Sequence, residues 1–499
     1  MKIKTGKMVS ETDYKNPIFI PLYKTSETVE TMIPEDLANA IKNVTHRAKT
    51  DKDDREIKKI YVNLNGNYTP IYLLSLSKKP ENFTCFAEHG YTIGKILKKD
   101  KIKSFSFVAF EDALFDNSLE EKENIVYTKN FIDGIYFGLY TYERYLTKKQ
   151  AYKLKELKVI TQSETLGSYL KNFEETNTIF ENIYLSRDLI NEPANDLTPA
   201  AFSKIIKNKS PEGLTVQIYN EKNIEENGLN LINAVGKGST NKPRFIKLTY
   251  KGNPGSKKNI ALVGKGVTFD SGGTNLKPTG YIETMKTDMS GASLMFTLTR
   301  LIAESKLKAN VNTFIPLVEN TIGTSACRPG DIYKSASGKT VEILNTDAEG
   351  RLILADALYM ATKEKPDLIV DAATLTGACV VALGSHIAGM FSNRSSLSET
   401  FLKTSNSMGE DFWELPLYKG YASNLKSKIA DIQNISSQKR EAGTIIAALF
   451  LEEFVANYPW IHLDIAGVAF LEEEHKIYGN AASGFGIRTL YEFIKKEYC

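Results

Sequence analysis

The sequence is poor in the residues that mark several common classes of protein. Its 499 residues include only four cysteines, and no two of them form a CxxC pair. Such scattered cysteines are typical of reduced thiols and exclude a disulfide framework or a cysteine-rich zinc site. The net charge is +3, from 63 basic and 60 acidic residues, which gives no electrostatic argument for a partner. We therefore expect neither nucleic acid nor membrane as a partner.

Targeting and membrane-spanning segments are also missing. The first residues, MKIKTGKMVSETDYK, have no apolar stretch of the kind that a secretory signal requires. The apolar run 368–391 contains Asp371, His386 and several hydroxyl side chains, which a bilayer would leave in hydrocarbon. The sequence therefore predicts a soluble protein in the cytoplasm.

Several familiar catalytic and nucleotide-binding motifs are absent. The sequence has no HExxH zinc motif and no GxSxG nucleophile elbow. SASGKT at 335–340 resembles the end of a P-loop, but Tyr333 replaces the required glycine. GKGVTF at 264–269 begins like a dinucleotide fingerprint and ends on Phe269 instead of glycine. These failures argue against the corresponding hydrolase and nucleotide-binding classes.

The alternation of apolar patterns predicts two α/β domains, because 499 residues exceed the size of a single core. Residues 1–170 are expected to form a smaller N-terminal domain, with a helix at 131–145 and strands at 59–64, 70–76, 102–110 and 157–161. Residues 171–499 are expected to form a larger catalytic domain, with a central, mostly parallel sheet flanked by helices. An amphipathic helix at 171–192 is the predicted connector.

Acidic and basic residues gather where predicted strands and helices meet in the second domain. The strand NIALVG leads into a glycine-rich loop that carries Lys265, Asp270 and Lys277. Asp288 precedes a helix in ETMKTDMSGAS, and the stretch NTDAEGRLILADAL places Asp347, Glu349 and Arg351 at another helix entrance. Since ligands bind beyond the carboxyl ends of strands in such sheets, these side chains are candidates for one site.

Two interpretations of these acids remain open at this point. Asp288 and Asp347 are each placed to cap a helix, which is a common role for aspartate. Taken together, however, four crowded carboxylates would repel one another, and burying them unpaired would cost several kcal/mol each. Two divalent cations would neutralise them, and oxygen-rich ligand sets suit zinc, manganese or magnesium.

The motifs together resemble the leucyl aminopeptidase (cytosol aminopeptidase) family. The resemblance covers roughly residues 180–499 and rests on NTDAEGRL (345–352), VGKGVTFDSGG (263–273), MKTDMSGA (285–292), RPGDI (328–332), DAATLTGA (371–378) and HLDIAG (462–467). One segment departs from the family pattern, since SSQKRE at 436–441 replaces a usual Gly-Gly-Arg. The resemblance implies a metal-dependent exopeptidase that releases leucine-like residues from peptides with a free N-terminus.

The resemblance also implies the roles of individual residues. One metal would be bound by Asp270, Asp347 and Glu349, and the other by Lys265, Asp270, Asp288 and Glu349. A lysine ligand must be neutral, so the pKa of Lys265 would have to be strongly lowered. The metals would be zinc, with manganese, magnesium or cobalt as alternatives at an exchangeable position.

The remaining implied roles concern catalysis, the substrate and assembly. Lys277 and Arg351 would be catalytic, with Arg351 holding bicarbonate as general base, and the substrate would contact Met285, Leu375, Thr376 and Gly377. Met285 has an alternative as core packing. We expect the highest activity at alkaline pH, because α-amino groups titrate near roughly 7.7–8.0. The family implies a homohexamer, and the alternative function is a non-catalytic hexameric scaffold or a nucleic-acid-binding role.

Overall fold

The structure of the chain is a computed structural model. It describes residues 1–23, 33–47, 57–76, 84–110, 121–149, 152–171, 173–437 and 441–499. The chain divides into two compact units, Met1–Asn177 with Glu474–Gly479 and Thr178–Glu473 with Asn480–Cys499. The division falls within a helix, Glu174–Asn191, which lies inside the predicted connector. The domain boundary at 170/171 stays a prediction.

The first unit is built on a sheet whose strands are mostly parallel. Its strands are β1 (Lys2–Gly6), β2 (Ile18–Tyr23), β3 (Ile57–Leu64), β4 (Asn67–Leu76), β5 (Ser104–Val108) and β6 (Glu156–Ile160). In the described residues they form six strands in the order β1-β6-β5-β2-β4-β3, with β3 antiparallel to β4. The helices are α1 (Glu35–Arg47), α2 (Thr84–Lys99), α3 (Glu121–Leu139) and α4 (Glu164–Lys171).

The predicted strands of this unit are confirmed, but the predicted helix at 131–145 was wrong at both ends. Helix α3 begins at Glu121 and ends at Leu139. The sequence beyond Leu139, YTYERY, is rich in aromatic residues that favour a helix only weakly. The buried part of α3 places Phe131 against the rings of Phe19 and Phe107, at centroid distances of 4.6 and 4.4 Å. This unit therefore has an aromatic core.

The remaining elements follow in chain order. The helices are α5 (Glu174–Asn191), α6 (Pro199–Lys209), α7 (Glu221–Glu226), α8 (Asn230–Gly236), α9 (Ser290–Glu304), α10 (Gly350–Thr362), α11 (Gly377–Leu383), α12 (Ser395–Met408), α13 (Gly443–Glu452) and α14 (Ile487–Glu497). The strands are β7 (Leu214–Tyr219), β8 (Arg244–Lys251), β9 (Ile260–Gly264), β10 (Gly266–Asp270), β11 (Asn310–Asn320), β12 (Asp331–Lys334), β13 (Thr340–Ile343), β14 (Leu368–Ala373), β15 (Ala388–Ser392), β16 (Phe412–Glu414), β17 (Ile432–Gln433), β18 (Trp460–Asp464), β19 (Phe470–His475) and β20 (Gly479–Ala482).

The central sheet of the second unit confirms the predicted fold class. Its strand order is β16-β15-β18-β14-β9-β11-β8-β7, with β10 paired to β11. Strands β18, β14, β9 and β11 are parallel neighbours, so their carboxyl ends lie at one edge. Their near-continuous apolar sequences are typical of parallel strands that are buried on both faces.

Helices α9 and α10 both pack against the central strands, and most residues of each are buried. Ala261 and Val263 of β9 share a hydrophobic cluster with α10. Because side chains alternate along a strand, Lys265 continues the face that α10 covers. Among the described helices, none has the length and hydropathy that crossing a membrane would require.

Candidate metal and substrate site

The carboxyl ends of the parallel strands bring the candidate residues together. Lys265 directly follows β9, and Asp270 is the last residue of β10. The segment expected to be a glycine-rich loop is thus largely a strand, because Gly266–Asp270 pairs with the second half of β11. Asp270 lies opposite Asn320, whose side-chain amide donates to Asp270 Oδ1 at 2.7 Å.

Three of the predicted acids converge closely. Asp270, Asp347 and Glu349 each offer a carboxylate oxygen, and the three oxygens lie within 4.8 Å of one another. Asp347 and Glu349, two residues apart in the sequence, thus present their carboxylates to the same cluster. Asp270 and Glu349 are each only 2% exposed, whereas the side chain of Asp347 is 33% exposed. The cluster is therefore buried on one side and open on the other.

Asp288 joins the cluster through Lys265. The Lys265 ammonium lies 2.5 Å from Asp288 Oδ1, 2.9 Å from Glu349 Oε1 and 2.8 Å from the carbonyl oxygen of Thr374. The Thr374 hydroxyl donates to the same Asp288 oxygen at 2.8 Å.

Neither aspartate is the N-cap of the helix that follows it, so the interpretation of these residues as N-caps was wrong. The N-cap of α9 is Met289, and the N-cap of α10 is Glu349, which makes no side-chain capping bond. Asp347 instead lies 2.6 Å from the Lys277 ammonium, which also lies 2.8 Å from Asp270 Oδ2. Four carboxylates thus face two ammonium groups, and negative charge remains in excess.

This excess charge is visible in the pKa values. Burial, together with the nearby Glu349 carboxylate, raises the pKa of Asp270 to about 6. Burial likewise raises the pKa of Asp288 well above its usual value. Burial would lower the pKa of Lys265, but the surrounding carboxylates outweigh it and raise that pKa. These side chains by themselves favour the ammonium form of Lys265, so coordination through its nitrogen requires a dication to displace the proton.

The donor set fits divalent metal ions. Asp288 Oδ2 and Glu349 Oε2 are buried oxygens without a hydrogen-bond partner in the part of the chain that the structure describes. Such orphaned carboxylate oxygens are costly unless a cation binds them. The three converging carboxylates supply further hard oxygen ligands, which suit zinc, manganese or magnesium. The residues present therefore match a metal site in number and chemistry.

Two glycines give the acids room. A Cβ atom at Gly350 would overlap Cε of Lys265, so a glycine here leaves space for the lysine side chain. At Gly272 a Cβ atom would lie 2.8 Å from Asp347 Oδ1, and the φ of +87° favours glycine. Larger residues would force Lys265 or Asp347 away from the cluster.

Arg351 lies in the first turn of α10 and is 8% exposed. One of its terminal nitrogens, Nη1, donates to the carbonyl oxygen of Asn434 at 2.9 Å. Burial lowers the pKa of Arg351 to about 10, so the side chain stays positive at neutral pH. The helix start and this cation together favour a bound anion. Part of the departing segment at 436–441 lies outside the described residues, which omit 438–440.

The predicted substrate residues lie in two places. Leu375 and Thr376 follow β14, and Gly377 is the exposed first residue of α11. Met285 is half-buried in the 3₁₀ turn Met285–Thr287, directly before Asp288. Both places border residues of the acidic cluster, since Thr374 and Asp288 share a hydrogen bond.

Several residues near the site, all but Thr374 of them buried, were not assigned a role from the sequence. They are Asn320, Thr374, Asp371, His462 and Asp464. Asp371 and His462 are neighbours in the register of β14 and β18, and His462 Nδ1 lies 2.6 Å from Asp371 Oδ1. The structure explains their position, because each residue lies at or near the carboxyl end of a buried strand of the central sheet.

Comparison with known proteins gives consistent matches. Residues 184–491 match the catalytic domain of the cytosol aminopeptidase family, peptidase M17. A "Probable cytosol aminopeptidase" of Clostridium tetani (strain Massachusetts / E88) is 38% identical over 480 residues, covering 95% of this chain and 96% of the relative. A protein of the same name from Aquifex aeolicus (strain VF5) is 39% identical over 466 residues, covering 92% and 91%.

A solved structure shares the fold over the same length. It is the "Bottromycin maturation enzyme BotP in complex with Mn", with 30% sequence identity and a TM-score of 0.82. The match covers 96% of this chain and 99% of that chain. The family match supports metal-dependent aminopeptidase activity on peptides. By sequence and by fold, the chain belongs to the cytosol aminopeptidase family.

Proposed function

We propose that this chain is a two-metal aminopeptidase that prefers leucine-like N-terminal residues. The observation that carries the proposal is the convergence of Asp270, Asp347 and Glu349 beside Lys265, at the carboxyl edge of the sheet. Asp270, Asp347 and Glu349 would hold one ion. Lys265, Asp270, Asp288 and Glu349 would hold the second. When bound, the ions would polarise the scissile carbonyl and lower the pKa of a water molecule towards neutrality.

The two proposed catalytic residues stabilise charge that develops during hydrolysis. Lys277 is the more exposed of the two lysines, and its pKa is raised by Asp270, Glu349 and Asp347 against the effect of burial. It therefore carries a proton at neutral pH and can donate a hydrogen bond to the oxyanion that forms from the scissile carbonyl. Arg351 would hold bicarbonate at the start of α10, as the group that accepts the proton of water.

The substrate's peptide backbone would lie along residues 375–377, with its side chain towards Met285. A methionine beside small residues forms an adaptable apolar pocket, which supports a preference for leucine-like side chains. The negative charge around Asp288 suits a free α-amino group, so substrates with a blocked amine should be rejected. Because that amine titrates near roughly 7.7–8.0, activity should be highest on the alkaline side.

The proposal extends to assembly, location and metal identity. The protein would be a homohexamer in the cytoplasm, with zinc bound and manganese, magnesium or cobalt able to replace it at one position. A scaffolding or nucleic-acid-binding role without catalysis is less well supported, because every proposed ligand residue is present. Sedimentation of the purified protein tests the hexamer, and metal analysis of the same sample tests the identity of the bound metals.

The function is tested by hydrolysis of leucine p-nitroanilide between pH 7 and 9. The wild type should be active, lose activity with o-phenanthroline and regain it with Mn²⁺ or Zn²⁺. Lys277→Ala and Asp347→Ala should each lower kcat/KM by about a thousandfold. Lys247→Ala is the matched control, since Lys247 forms an ion pair with Glu364 at 2.6 Å away from the cluster.

The substrate control is N-acetyl-leucine p-nitroanilide, which has the same side chain and no free amine. It should not be hydrolysed. A fully metal-loaded protein without activity on any free-amine substrate would contradict the proposal and favour a binding role.

A further inference from the structure

Asp464 is a fully buried carboxylate at the carboxyl end of β18. Its Oδ2 accepts a hydrogen bond from the Thr376 hydroxyl at 2.7 Å. Its Oδ1 accepts from the backbone N–H of Leu375 at 3.2 Å and of Ala466 at 3.3 Å. Both oxygens are thus engaged with the strand-to-helix turn that begins the proposed substrate-binding segment.

These bonds fix the conformation of residues 375–377. Thr376 is extended, with φ −138° and ψ 132°, and its hydroxyl also accepts from the N–H of Cys379 at 3.0 Å. Within the described residues, the Leu375 carbonyl oxygen and the Gly377 N–H make no hydrogen bond. An extended stretch with a free acceptor and a free donor is what a peptide backbone needs for strand-like pairing.

Asp464 is one member of a buried charged group, and the others support its ionised form. Burial raises the pKa of Asp464, and a positively charged His462, which lies two residues earlier on the same face of β18, opposes that shift. His462 is held by Asp371, which also accepts from the Trp460 indole N–H at 2.7 Å. The rings of Phe391 and Trp460 stack on His462 at centroid distances of 5.9 and 6.0 Å.

A turn of this kind does not need a buried anion, because the Thr376 hydroxyl already caps α11. Burying a carboxylate is costly unless charge and hydrogen bonds compensate for it. Charge-assisted hydrogen bonds are stronger and more directional than neutral ones. We therefore expect the bonds to Asp464 to hold the backbone at Leu375 and Thr376 more precisely than neutral hydrogen bonds would.

We infer that Asp464 is a positioning residue that aligns residues 375–377 for the substrate's peptide backbone. The inference rests on the proposed function, since it assigns a purpose to the proposed substrate segment. Asp464 makes no hydrogen bond to a proposed metal ligand within the described residues, and its charge also opposes the lowering of the Arg351 pKa by burial. Its loss should therefore weaken substrate binding more than it slows the chemical step.

The first test compares Asp464→Asn with Asp356→Asn in the metal-loaded enzyme. Asp356 is the matched control: it is also fully buried, and it accepts backbone N–H groups of Leu231, Ile232 and Ala336, away from the site. Asp464→Asn should raise KM for leucine p-nitroanilide about tenfold and change kcat less than threefold. Asp356→Asn should leave KM unchanged, and both variants should retain wild-type metal content.

The second test removes the hydrogen bond between Thr376 and Asp464 by changing Thr376 instead of Asp464. Thr376→Val keeps the shape of the side chain and deletes the hydroxyl that donates to Asp464. Thr376→Val should raise KM, and the effects of the two changes should be less than additive in the double variant, because both remove the bond between Thr376 and Asp464. Thr376→Val also removes the bond from the Cys379 N–H. This cycle remains informative if Asp464→Asn does not fold, since Thr376→Val with an unchanged KM overturns the inference.

An unchanged KM in folded Asp464→Asn, additive effects in the double variant, or a lower metal content would each overturn the inference while the proposed function stands. A wild type that hydrolyses no free-amine substrate would overturn the proposed function, and the inference with it. Activity of the wild type thus separates the two failures.

Discussion

The two units of this chain use similar sheets to enclose very different interiors. Both have mostly parallel strands flanked by helices. The first fills its core with aromatic rings, such as those of Phe19, Phe107 and Phe131. The second has a largely aliphatic core with a smaller share of rings, such as those of Phe314 and Trp460. It places charged side chains such as Lys265 and Asp270, both nearly fully buried, where its strands end.

The difference shows how function is added to a fold. An aromatic core stabilises the protein through burial and contact, and any well-packed set of rings would serve. Buried carboxylates do the opposite, because each one must be compensated by a cation, a metal or hydrogen bonds. A fold tolerates such groups where they carry out chemistry, so the charged edge of the second sheet marks the site more clearly than the fold does.

The largest expected effect on stability is in the aromatic core. Phe107→Ala should lower the free energy of unfolding by about 3–5 kcal/mol, because it removes a fully buried ring and leaves a cavity. The folded variant should keep the kcat/KM of the wild type. Urea unfolding followed by circular dichroism measures the change, with Tyr68→Ala as control, since Tyr68 is 74% exposed. A folded Phe107→Ala protein without activity would show that the two interiors are not independent.

The next largest expected effect is on catalysis. Arg351→Ala should lower kcat/KM about a hundredfold, or about 3 kcal/mol, because the proposed bicarbonate loses its positive partner. Added bicarbonate should stimulate bicarbonate-depleted wild type and not the variant. Arg328→Ala is the control, since the Arg328 side chain is 76% exposed. Equal stimulation of the variant and the wild type would refute the assigned role of Arg351.

The smallest expected effect concerns Asp356, a buried carboxylate outside the proposed site, and the pH dependence of the free energy of unfolding. Burial raises the pKa of Asp356 to about 7, against the opposing effect of three backbone N–H groups. Between pH 5 and pH 7, Asp356 therefore holds a proton in the folded state. In the unfolded state its pKa is about 3.9, so that proton has already been lost. The unfolded state binds fewer protons over this range, so stability falls as pH rises.

The fall in the free energy of unfolding between pH 5 and pH 7 should be about 2 kcal/mol larger for the wild type than for Asp356→Asn. Urea titrations at pH 5, 6 and 7 measure it. Identical pH dependence in the two proteins would show that Asp356 is ionised throughout.

Much of the second unit could be predicted because the signals were local. The strands at β9, β11 and β14 are nearly continuous apolar runs, and the acids follow them at strand or helix ends. The segment after Lys265 was misassigned as a loop because its pairing with β11 is a contact distant in sequence. The prediction of a helix at 131–145 was wrong at its ends, because the spacing of aromatic residues alone does not determine where a helix begins or ends.

The sequence by itself determined the family, the fold class and the identity of the candidate ligands, because short motifs and apolar periodicity are properties of neighbouring residues. Only the tertiary structure decided which charged and polar side chains lie close enough to interact. It brings Lys265 to Asp288 and Glu349, and it places Asp464 behind Thr376 although 88 residues separate the two. Parallel strands join residues that are far apart in the chain, so the balance of buried charge is set by strand order and register, which no local pattern specifies.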